Sequence, residues 1–349
     1  MSNKISVAVL GATGPVGQVL LQLLENHPNF EPVMLCSSSE NVSRRYGDAI
    51  APRMFVNEDS VSRFLDRRLA AVQECSGEVK VVFSALSSDA AADIEPMLAR
   101  NGVAVCSNAS AFRLDPYVPV LLADINPSHV HLVHGQKRSF GYEGFVVANP
   151  NCSTAGLVTA LSPLRRFVLR NVWVQTWQSI SGAGYPGHSA CDILGNVVPH
   201  IPGEERKIAR ETPKMLGRFS GSGIEHHDMK VKAFCTRVPV QRGHLIRVTA
   251  EVDREVTAER VVAEWESMDP VDASFASVPP VLVRREFDRP QPAKDVAAGR
   301  GMSVSVGRLN VEGRRISFAL VVDNLVRGAA GAAVMNAELL LKEGFIPAP

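Results

Sequence analysis

The sequence predicts an α/β protein in which a doubly wound parallel sheet is followed by a second domain with a mostly antiparallel sheet. Two observations predict this class: short apolar strands alternate with helices before Asn151, and long alternating segments follow it. The chain has 349 residues, the length of about two domains. Its hydrophobic fraction of 46% and charged fraction of 21% are those of an ordinary globular protein, so a core of normal size is available.

The part before Asn151 shows the alternation typical of a parallel sheet. An apolar strand over 5–10 leads into a glycine-rich turn and then a helix. The apolar residues of that helix recur with a helical period, and they are Val16, Val19, Leu20, Leu23 and Leu24. Further strands are predicted over 33–36, 79–86, 103–106 and 145–148, with a helix over 89–100. Parallel strands joined by helices form a doubly wound sheet of the Rossmann type.

The part after Asn151 has a different pattern. A helix over 155–164 comes first, and a final Ala- and Gly-rich helix is predicted over 324–343. Between them lie the alternating segments of a mostly antiparallel sheet, over 172–180, 231–240, 245–252, 303–311 and 315–322. We therefore place the boundary near Asn151, with a dinucleotide-binding domain over 1–151 and a second domain over 152–323.

Charge, apolar run length and cysteine spacing exclude several classes of protein. A formal net charge of +1 provides no basic field for a nucleic acid. No apolar run approaches the ~18 residues of a membrane span, and the N-terminus has no charged leader, so we expect no membrane anchor and no secretory signal. The six cysteines include no C-x-x-C pair, which argues against a metal site or a disulfide framework and favours a reducing cytoplasm.

The glycine-rich turn predicts a dinucleotide site. Its three glycines form the pattern G-x-x-G-x-x-G between the first strand and the first helix, where backbone N–H groups can approach a pyrophosphate. A proline suits the first turn of a helix, because its missing N–H would have no partner there. The predicted cofactor-binding residues of the turn are Gly11, Thr13, Gly14, Pro15, Val16 and Gly17. A tight turn without a ligand is the alternative.

The residues after the second strand favour NADP over NAD. An NAD site usually carries Asp or Glu there to bind the ribose 2′-hydroxyl, whereas this chain has Ser37 and Ser38, with Arg44 nearby. Hydroxyl and guanidinium groups donate to a 2′-phosphate, which an acid would repel. Glu40 argues the other way, and a solvated basic turn is the alternative.

A cysteine is the predicted nucleophile. None of the four tyrosines has a lysine four positions on, which excludes the Tyr-x-x-x-Lys acid–base pair. Cys152 follows a strand and starts a helix, a position that lowers the pKa of a thiol and offers N–H groups to an oxyanion. Its neighbours Asn151 and Ser153 are polar, unlike the surroundings of a core cysteine.

A nucleophilic cysteine needs a partner for proton transfer, and a histidine is the first candidate. His244 follows Pro239 and Gly243, which predict a sharp loop between two strands, where functional side chains often lie. Spacing alone does not decide whether His244 is the proton-transfer partner. His27 is expected at the surface. A strand face, and not a metal site, is predicted for His129, His131 and His134.

An ordered set of motifs runs through nearly the whole chain. They are GATG over 11–14, NCST over 151–154, QSISGAG over 178–184, GEERK over 203–207, RVP-x-x-x-GH over 237–244 and DNL over 323–325. Together they resemble the aspartate-semialdehyde dehydrogenases, in particular the archaeal and fungal branch. The resemblance implies an α+β catalytic and dimerisation domain of the glyceraldehyde-phosphate-dehydrogenase type, and a C-terminal helix over 324–349 that completes the first domain. It also implies a homodimer or homotetramer.

The resemblance implies roles for the residues that act on the substrate. Cys152 would be the nucleophile, His244 the acid–base catalyst, and Gln178 the group that orients the substrate or the thioester carbonyl. Arg237 would bind the α-carboxylate. Glu204 would bind the α-ammonium, with its neighbour Glu205 left open as the alternative.

The remaining roles concern the phosphate and the cofactor. Lys207 and Arg113 would hold the transferable phosphate, and Asn151 belongs to the same substrate site. Asn324 and the glycines after it would approach the nicotinamide, and Ser181 and Gly182 are further cofactor-binding residues.

The reaction that the resemblance implies is the NADPH-dependent reduction of L-aspartyl-4-phosphate to L-aspartate 4-semialdehyde through a cysteine thioester, a step in lysine, threonine and methionine biosynthesis. An N-acetyl-glutamyl-phosphate reductase is one alternative, although its acylated substrate amine would leave Glu204 without a cation. A CoA-thioester reductase and a non-catalytic NADP-binding protein are the others.

Overall fold

The computed structural model describes residues 4–75 and 79–348, which form two large sheets, two small two-stranded sheets and the helices that connect them. The strands are β1 (Ile5–Leu10), β2 (Phe30–Cys36), β3 (Val81–Ser84), β4 (Ala104–Ser107), β5 (Phe145–Ala148), β6 (Leu169–Gln178), β7 (Arg218–Phe219), β8 (Ile224–Glu225), β9 (Lys230–Arg237), β10 (His244–Val252), β11 (Val271–Ala273), β12 (Ala276–Val278), β13 (Val281–Val283), β14 (Val304–Glu312) and β15 (Arg315–Val322). The helices are α1 (Pro15–Leu24), α2 (Tyr46–Ile50), α3 (Ser88–Arg100), α4 (Leu132–Phe140), α5 (Cys152–Leu161), α6 (Ala190–Ile193), α7 (Glu204–Met215), α8 (Ala258–Glu266), α9 (Pro292–Asp295) and α10 (Gly331–Lys342).

The first sheet has five parallel strands in the order β2-β1-β3-β4-β5, as the strand–helix alternation predicts. Helix α5 begins three residues after the end of strand β5, following residues 149–151. Gly11, Asn108 and Asn149 also follow strand ends at this edge, after β1, β4 and β5. The carboxyl edge of a parallel sheet is where ligands bind in such folds, and the sequence motifs therefore converge there.

The second sheet has six strands in the order β13-β14-β15-β10-β6-β9. Its three central pairings are antiparallel, whereas β13–β14 and β6–β9 pair in parallel at the two edges. The prediction of a mostly antiparallel sheet is therefore confirmed for the centre. The chain between β6 and β9 contains the crossover helices α6 and α7, and such a long connection lets two strands run in parallel.

One face of the second sheet is buried and the other is open. In β6, Val172, Val174 and Thr176 are buried, while Trp173 and Gln175 are exposed. Because side chains alternate along a strand, this pattern places the core on one side only. Helix α5 lies on the covered side: a Cβ on Gly156 would come within 2.7 Å of Val322 Cβ in β15.

Several predicted elements differ from the structure. The helix predicted from residue 155 begins at Cys152, because Asn151 caps it and no residue before 155 breaks it. The strand predicted around His131 and His134 is wrong, since these residues lie in a 3₁₀ turn and in α4. His27 is buried, not on the surface, and its Nε2 lies 3.2 Å from Glu338.

The C-terminal segment lies against the first sheet. A π-helical segment, Val326–Ala330, precedes α10, so the predicted single helix has an irregular first turn. Val334, Ala337 and Leu340 belong to the same apolar cluster as Val7 and Val9 of β1. Among the described residues, no helix has the length and apolar character needed to cross a membrane.

Candidate active site

Helix α5 positions the predicted nucleophile. Asn151 is its N-cap, and the side-chain Oδ1 accepts hydrogen bonds from the amides of Ser153 and Thr154, at 3.0 and 3.2 Å. Cys152 is therefore the first helical residue, with part of its surface exposed. The sequence predicted that the amides at the start of α5 are free to bind an oxyanion. That part of the prediction is wrong for two of them, because the Asn151 side chain already accepts from Ser153 and Thr154.

Cys152 and His244 are in contact. The distance from Cys152 Sγ to His244 Nε2 is 3.1 Å. The backbone amide of Ser179 donates to His244 Nδ1 at 3.1 Å, so the proton of a neutral imidazole lies on Nε2, facing the sulfur. His244 is not in a loop, as Pro239 and Gly243 suggested, but is the fully buried first residue of β10. Its pairing with Val322 in β15 holds it more rigidly than a loop would.

The thiol is less acidic than its helix position predicts. Burial, together with the negative charge of Glu204, raises the pKa of Cys152 from 9.0 to about 12, although the Arg113 and Arg237 guanidinium groups act in the opposite direction. Burial and the nearby Arg237 lower the pKa of His244 to about 3. The prediction of a lowered thiol pKa is wrong, because desolvation outweighs the helix dipole. Both side chains are neutral here.

Arg237 lies beside this pair. Its Nη1 donates to the carbonyl of Ser179 at 2.7 Å, and its Nε is a buried donor with no hydrogen-bond partner among the described residues. Gly182 provides the space: a Cβ there would lie 3.0 Å from Arg237 Nη1 and 3.3 Å from His244 Nε2. A buried guanidinium with an unpartnered Nε next to the predicted nucleophile has the chemistry to bind a carboxylate.

Glu204 and Gln178 form the opposite side. Glu204 is buried, and its Oε1 accepts from Asn151 Nδ2 at 2.5 Å and from Gln178 Nε2 at 3.3 Å. Its Oε2 lies 3.6 Å from Lys207 Nζ. Glu205 points away, to the amide of Cys235 at 3.1 Å. The structure thus turns Glu204, and not Glu205, toward Cys152.

Arg113 reaches the site from the first sheet. It is buried in the loop after β4, where its Nη2 donates to the carbonyl of Asn108 at 2.7 Å and its Nε has no partner in the described part of the chain. Its Nη1 lies 3.2 Å from Glu211, a buried acid on α7 that the sequence analysis missed. The signal was available, because Glu204, Lys207 and Glu211 recur with a helical period.

The glycine turn has the shape of a phosphate cradle. Gly11 has φ +70°, and a Cβ there would lie 2.6 Å from the carbonyl oxygen of Ala85. A Cβ on Gly17 would lie 2.2 Å from the carbonyl oxygen of Gly11. Gly14 is the N-cap of α1 and offers no side chain to its first amides, while Pro15 and Val16 begin the helix. The N-terminus of α1 therefore stays open to an anion.

The residues predicted to select the cofactor follow β2 directly. Thr13 Oγ1 lies 3.2 Å from Ser37 Oγ, and both residues are buried. Ser38 is exposed and accepts from Asn41 Nδ2 at 3.3 Å. Arg44 is exposed, and its guanidinium already contacts Asn41 Oδ1 at 3.0 Å and the carbonyl of Asp48 at 3.2 Å. No acid stands at Ser37, where an NAD site would carry one.

Asn324 connects the predicted cofactor residue Ser181 to the backbone just before His244. Its Oδ1 accepts from the amide of Gly243 at 2.9 Å, and its Nδ2 donates to Ser181 Oγ at 3.0 Å. Ser179, which the sequence analysis missed, contacts both Asn324 Oδ1 and His244 Nδ1 at 3.1 Å. Gly328, four residues after Asn324, packs on Cys152, and a Cβ there would lie 2.7 Å from Cys152 Cβ. The predicted nicotinamide residues and the nucleophile are thus neighbours.

Comparisons with known proteins agree with this architecture. The family described as semialdehyde dehydrogenase, NAD binding domain, matches residues 6–133, and semialdehyde dehydrogenase, dimerisation domain, matches residues 161–327. The aspartate-semialdehyde dehydrogenase of Archaeoglobus fulgidus is 44% identical over 98% of this chain and 100% of its own. The crystal structure of aspartate semialdehyde dehydrogenase with NADP from Candida albicans aligns with a TM-score of 0.85 and 34% identity, over 99% of this chain and 100% of that one.

A relative with another name is also similar. The malonyl CoA reductase (NADP) of Metallosphaera sedula is 33% identical over 99% of this chain and 99% of its own length. The paired domains are those of the semialdehyde dehydrogenase class. Within that class, the chain belongs to the aspartate-semialdehyde dehydrogenase family. The resemblance and the fold class predicted from the sequence are thereby confirmed.

Proposed function

We propose that the protein reduces L-aspartyl-4-phosphate to L-aspartate 4-semialdehyde with NADPH, through a thioester on Cys152, as a step in lysine, threonine and methionine biosynthesis. The observation that carries the proposal is the contact of 3.1 Å between Cys152 Sγ and His244 Nε2, made between two arginines. Each arginine keeps a buried Nε without a partner in the described chain. The substrate has two anionic ends, a carboxylate and a phosphate, on either side of the reacting carbon.

Each end of the substrate has a matching charge. Arg237 is assigned to the α-carboxylate, because its guanidinium lies beside His244 and keeps a buried Nε without a partner among the described residues. Arg113 and Lys207 are assigned to the phosphate. Glu204 is assigned to the α-ammonium, since its carboxylate faces Asn151 and Gln178 next to the sulfur. Opposite charges at both ends orient the acyl carbon toward Cys152.

His244 acts as a hydrogen-bond and proton donor in this scheme. Cys152 loses its thiol proton and attacks the acyl carbon. The phosphate leaves with the C–O bond electrons and takes up that proton as hydrogen phosphate, while Arg113 and Lys207 balance its charge. After reduction, the carbonyl re-forms and the Cys152–carbon bond breaks, which returns a thiolate. His244 Nε2, which carries the imidazole proton, lies 3.1 Å from that sulfur and stabilises it by a hydrogen bond. The Cys152 amide is assigned to the oxyanion, because the cap engages the amides of Ser153 and Thr154. Gln178, whose Nε2 donates to Glu204 at 3.3 Å, is assigned to orient the carbonyl.

The residues at the first sheet fit NADP. The cradle formed by Gly11 and Gly17 excludes side chains, and the first turn of α1 has no side-chain cap. Gly11, Thr13, Gly14 and Val16 would hold the pyrophosphate. Ser37, Ser38 and Arg44 would hold the 2′-phosphate, and Ser181, Gly182 and Asn324 would lie at the nicotinamide. When bound, the reduced cofactor supplies the hydride. The Candida albicans neighbour was solved with NADP, which supports the same choice here.

The decisive assay is phosphate-dependent reduction of NADP by the purified protein with aspartate semialdehyde. We expect turnover that requires phosphate and that is faster with NADP than with NAD, since an acid at position 37 is missing. Cys152→Ser is expected to lose turnover. Wild-type turnover by that variant, or none by the wild type under any phosphate concentration, would defeat the proposal.

Two other substrates are compared in the same assay. N-acetyl-glutamate semialdehyde carries no ammonium, so the buried Glu204 would have no substrate cation to meet. A CoA thioester is the second candidate, because the Metallosphaera sedula relative is named a malonyl CoA reductase (NADP). Phosphate-independent turnover with free CoA as the acceptor would favour it. The two arginines with free Nε atoms favour the acyl phosphate.

We also propose that the chain forms a homodimer, with a homotetramer as the alternative, through the open face of the second sheet. Trp173 and Phe234 lie exposed on that face, 41% and 50%, among half-buried neighbours. The match to a dimerisation domain over residues 161–327 supports self-association in this part of the chain. A cytoplasmic location stays a prediction, supported by six free thiols.

A further inference from the structure

Glu211 is a buried acid at the site to which no role has been assigned. It lies on α7, about one helical turn after Lys207 and two after Glu204, and its side chain is 1% exposed. An ionised carboxylate in such a place costs free energy unless its oxygens are paired. Both of its oxygens are paired, with groups from two different parts of the site.

The first partner is Arg113. Glu211 Oε1 accepts from Arg113 Nη1 at 3.2 Å, while Arg113 Nη2 donates to the carbonyl of Asn108 at 2.7 Å. These two bonds fix the plane of the guanidinium. They leave Nε, a buried donor without a partner in the described residues, for a ligand. Glu211 therefore sets the orientation of the group assigned to the phosphate.

The second partner is the backbone immediately before the nucleophile. Glu211 Oε2 accepts from the amide of Asn151 at 2.6 Å. The side chain of Asn151 caps α5 and donates to Glu204 Oε1 at 2.5 Å, so α7 holds this residue at two points. Because Cys152 is the next residue, the same contacts define where its sulfur can lie.

We propose that Glu211 is a positioning residue that fixes the position of the phosphate-binding Arg113 relative to the start of α5. The leaving phosphate and the attacking sulfur are thereby both placed at the same acyl carbon. The inference rests on the proposed function and adds to it a residue that touches neither substrate nor cofactor. A single carboxylate joins the loop after β4, the N-cap of α5 and the helix that carries Glu204 and Lys207.

The carboxylate is chemically specific for this task. Both partners are donors, a guanidinium N–H and a backbone N–H, so both oxygens must accept. A glutamine can accept with only one side-chain atom and would present an N–H to the other donor. An aspartate keeps both acceptors on a side chain shorter by one methylene group. Glu211→Gln therefore tests whether the negative charge and the second acceptor oxygen are needed. Glu211→Asp tests whether the length of the side chain is needed.

Glu264 provides a matched control. It is another buried acid with arginine partners, 3.3 Å from Arg166 and 3.8 Å from Arg260. It lies on α8, away from Cys152 and Arg113. Glu264→Gln therefore removes a buried charge of the same kind without a change in the site.

The first measurement is binding, with inorganic phosphate as the probe and thermal unfolding as the readout. Wild type and Glu264→Gln are expected to gain the same rise in Tm from phosphate, since a ligand that binds the folded protein stabilises it. Glu211→Gln is expected to lose most of that rise. An equal rise in Glu211→Gln and wild type would overturn the proposal, and this readout needs no turnover.

The second measurement separates positioning from loss of folded enzyme. We expect Glu211→Gln to raise the KM for phosphate by about tenfold or more, because a charge-assisted bond to Arg113 is lost, while the KM for NADP stays unchanged. A variant that is only destabilised would lower kcat with every KM unchanged, and that result would overturn the proposal.

Should Glu211→Gln fail to fold, Glu211→Asp is expected to raise the KM for phosphate as well. A wild-type KM for phosphate in Glu211→Asp would overturn the proposal equally. No phosphate-dependent turnover in the wild type itself would instead refute the proposed function, and the Tm comparison would still decide on Glu211.

Discussion

Cys152 lies in a site whose charges act on the thiol in opposite directions. Burial and the Glu204 carboxylate raise its pKa to about 12, whereas Arg113 and Arg237 favour the thiolate. The helix start and the polar neighbours predicted Cys152 as the nucleophile from sequence, but they gave the wrong direction for its acidity. That direction depends on how much solvent the fold removes and on Glu204, which is distant in sequence and close in space. The neutral thiol next to a neutral imidazole is the resting arrangement.

Glu204→Gln is expected to make Cys152 more reactive while it lowers turnover. The amide oxygen can still accept from Asn151 and Gln178, but the negative charge that raises the thiol pKa is gone. A lower pKa means more thiolate near neutral pH and faster alkylation. Turnover with aspartate semialdehyde falls, because the substrate ammonium loses its counter-ion.

The measurement is the rate of iodoacetamide labelling of the Cys152 peptide, followed by mass spectrometry as the pH is raised. In the wild type, with a pKa raised from 9.0 to about 12, the rate should keep rising well above pH 9.0. In Glu204→Gln the rise should begin at lower pH. Glu205→Gln is the control, because that carboxylate faces the amide of Cys235. Identical pH profiles for all three proteins would contradict the account.

Gly328→Ala is expected to displace the nucleophile. A Cβ at this position would lie 2.7 Å from Cys152 Cβ and 3.0 Å from its Cα, and neither atom is the flexible end of a side chain. A shift of the sulfur of about 1 Å lowers kcat on the order of 100-fold. Steady-state kinetics test this, with Gly223→Ala as control, since a Cβ there meets nothing within 4 Å. Unchanged kcat in Gly328→Ala would show that Cys152 is not fixed by this contact.

Helix α7 organises the site at the level of elements. Its buried stripe contains Glu204 and Glu211 beside apolar Ile208 and Met215, and Lys214 on the next turn donates to the carbonyls of Arg113, Asp115 and Val118. Periodicity predicts strands and helices well because one face of each is apolar, and β5 and β15 were placed to the residue. The buried face of α7 carries acids, so apolar periodicity did not predict that helix. At His244 a different cause applied: Pro239 and Gly243 predicted a loop, whereas pairing with β15 makes His244 a strand residue.

Arg327 is expected to be the main polar anchor of the π-helical segment. It is fully buried, and its Nη2 donates to Asp124 and to Thr159 at 2.8 Å each. Arg327→Met leaves Asp124 without its partner, which costs about 3–5 kcal/mol of stability. Chemical denaturation measures the loss. Arg218→Met, which removes an exposed pair with Glu225, should not change stability, and an equal effect of both changes would refute the anchor.

The whole molecule places the site where the two sheets meet. We propose that the domains divide as 1–151 and 152–323, with 324–349 completing the first, since residues of α10 share an apolar cluster with β1 and α1. Helix α5 begins at the carboxyl edge of the first sheet and packs on the second. Chain order alone located both sheets, but it could not show that Arg113, Glu204, Arg237 and Asn324 converge on one cysteine, because those contacts are long-range.

Disruption of the open face of the second sheet is expected to separate the subunits. Trp173→Asp places a charge on that face, where burial against a partner would cost free energy. Size-exclusion chromatography with light scattering should show a smaller assembly than the wild type. Phe287→Asp is the control, because Phe287 is 83% exposed and lies outside the sheet. The same assembly for wild type and Trp173→Asp would place the interface elsewhere.

The most direct test of the account is a single-turnover reaction with aspartate semialdehyde and NADP in the absence of phosphate. We predict a burst of NADPH that stops near one equivalent per subunit, with an acyl group found by mass spectrometry on the peptide that contains Cys152. Added phosphate should then release the acyl group and restore turnover. An equal burst from Cys152→Ser, or an acyl group on another cysteine such as the exposed Cys191, would contradict the account.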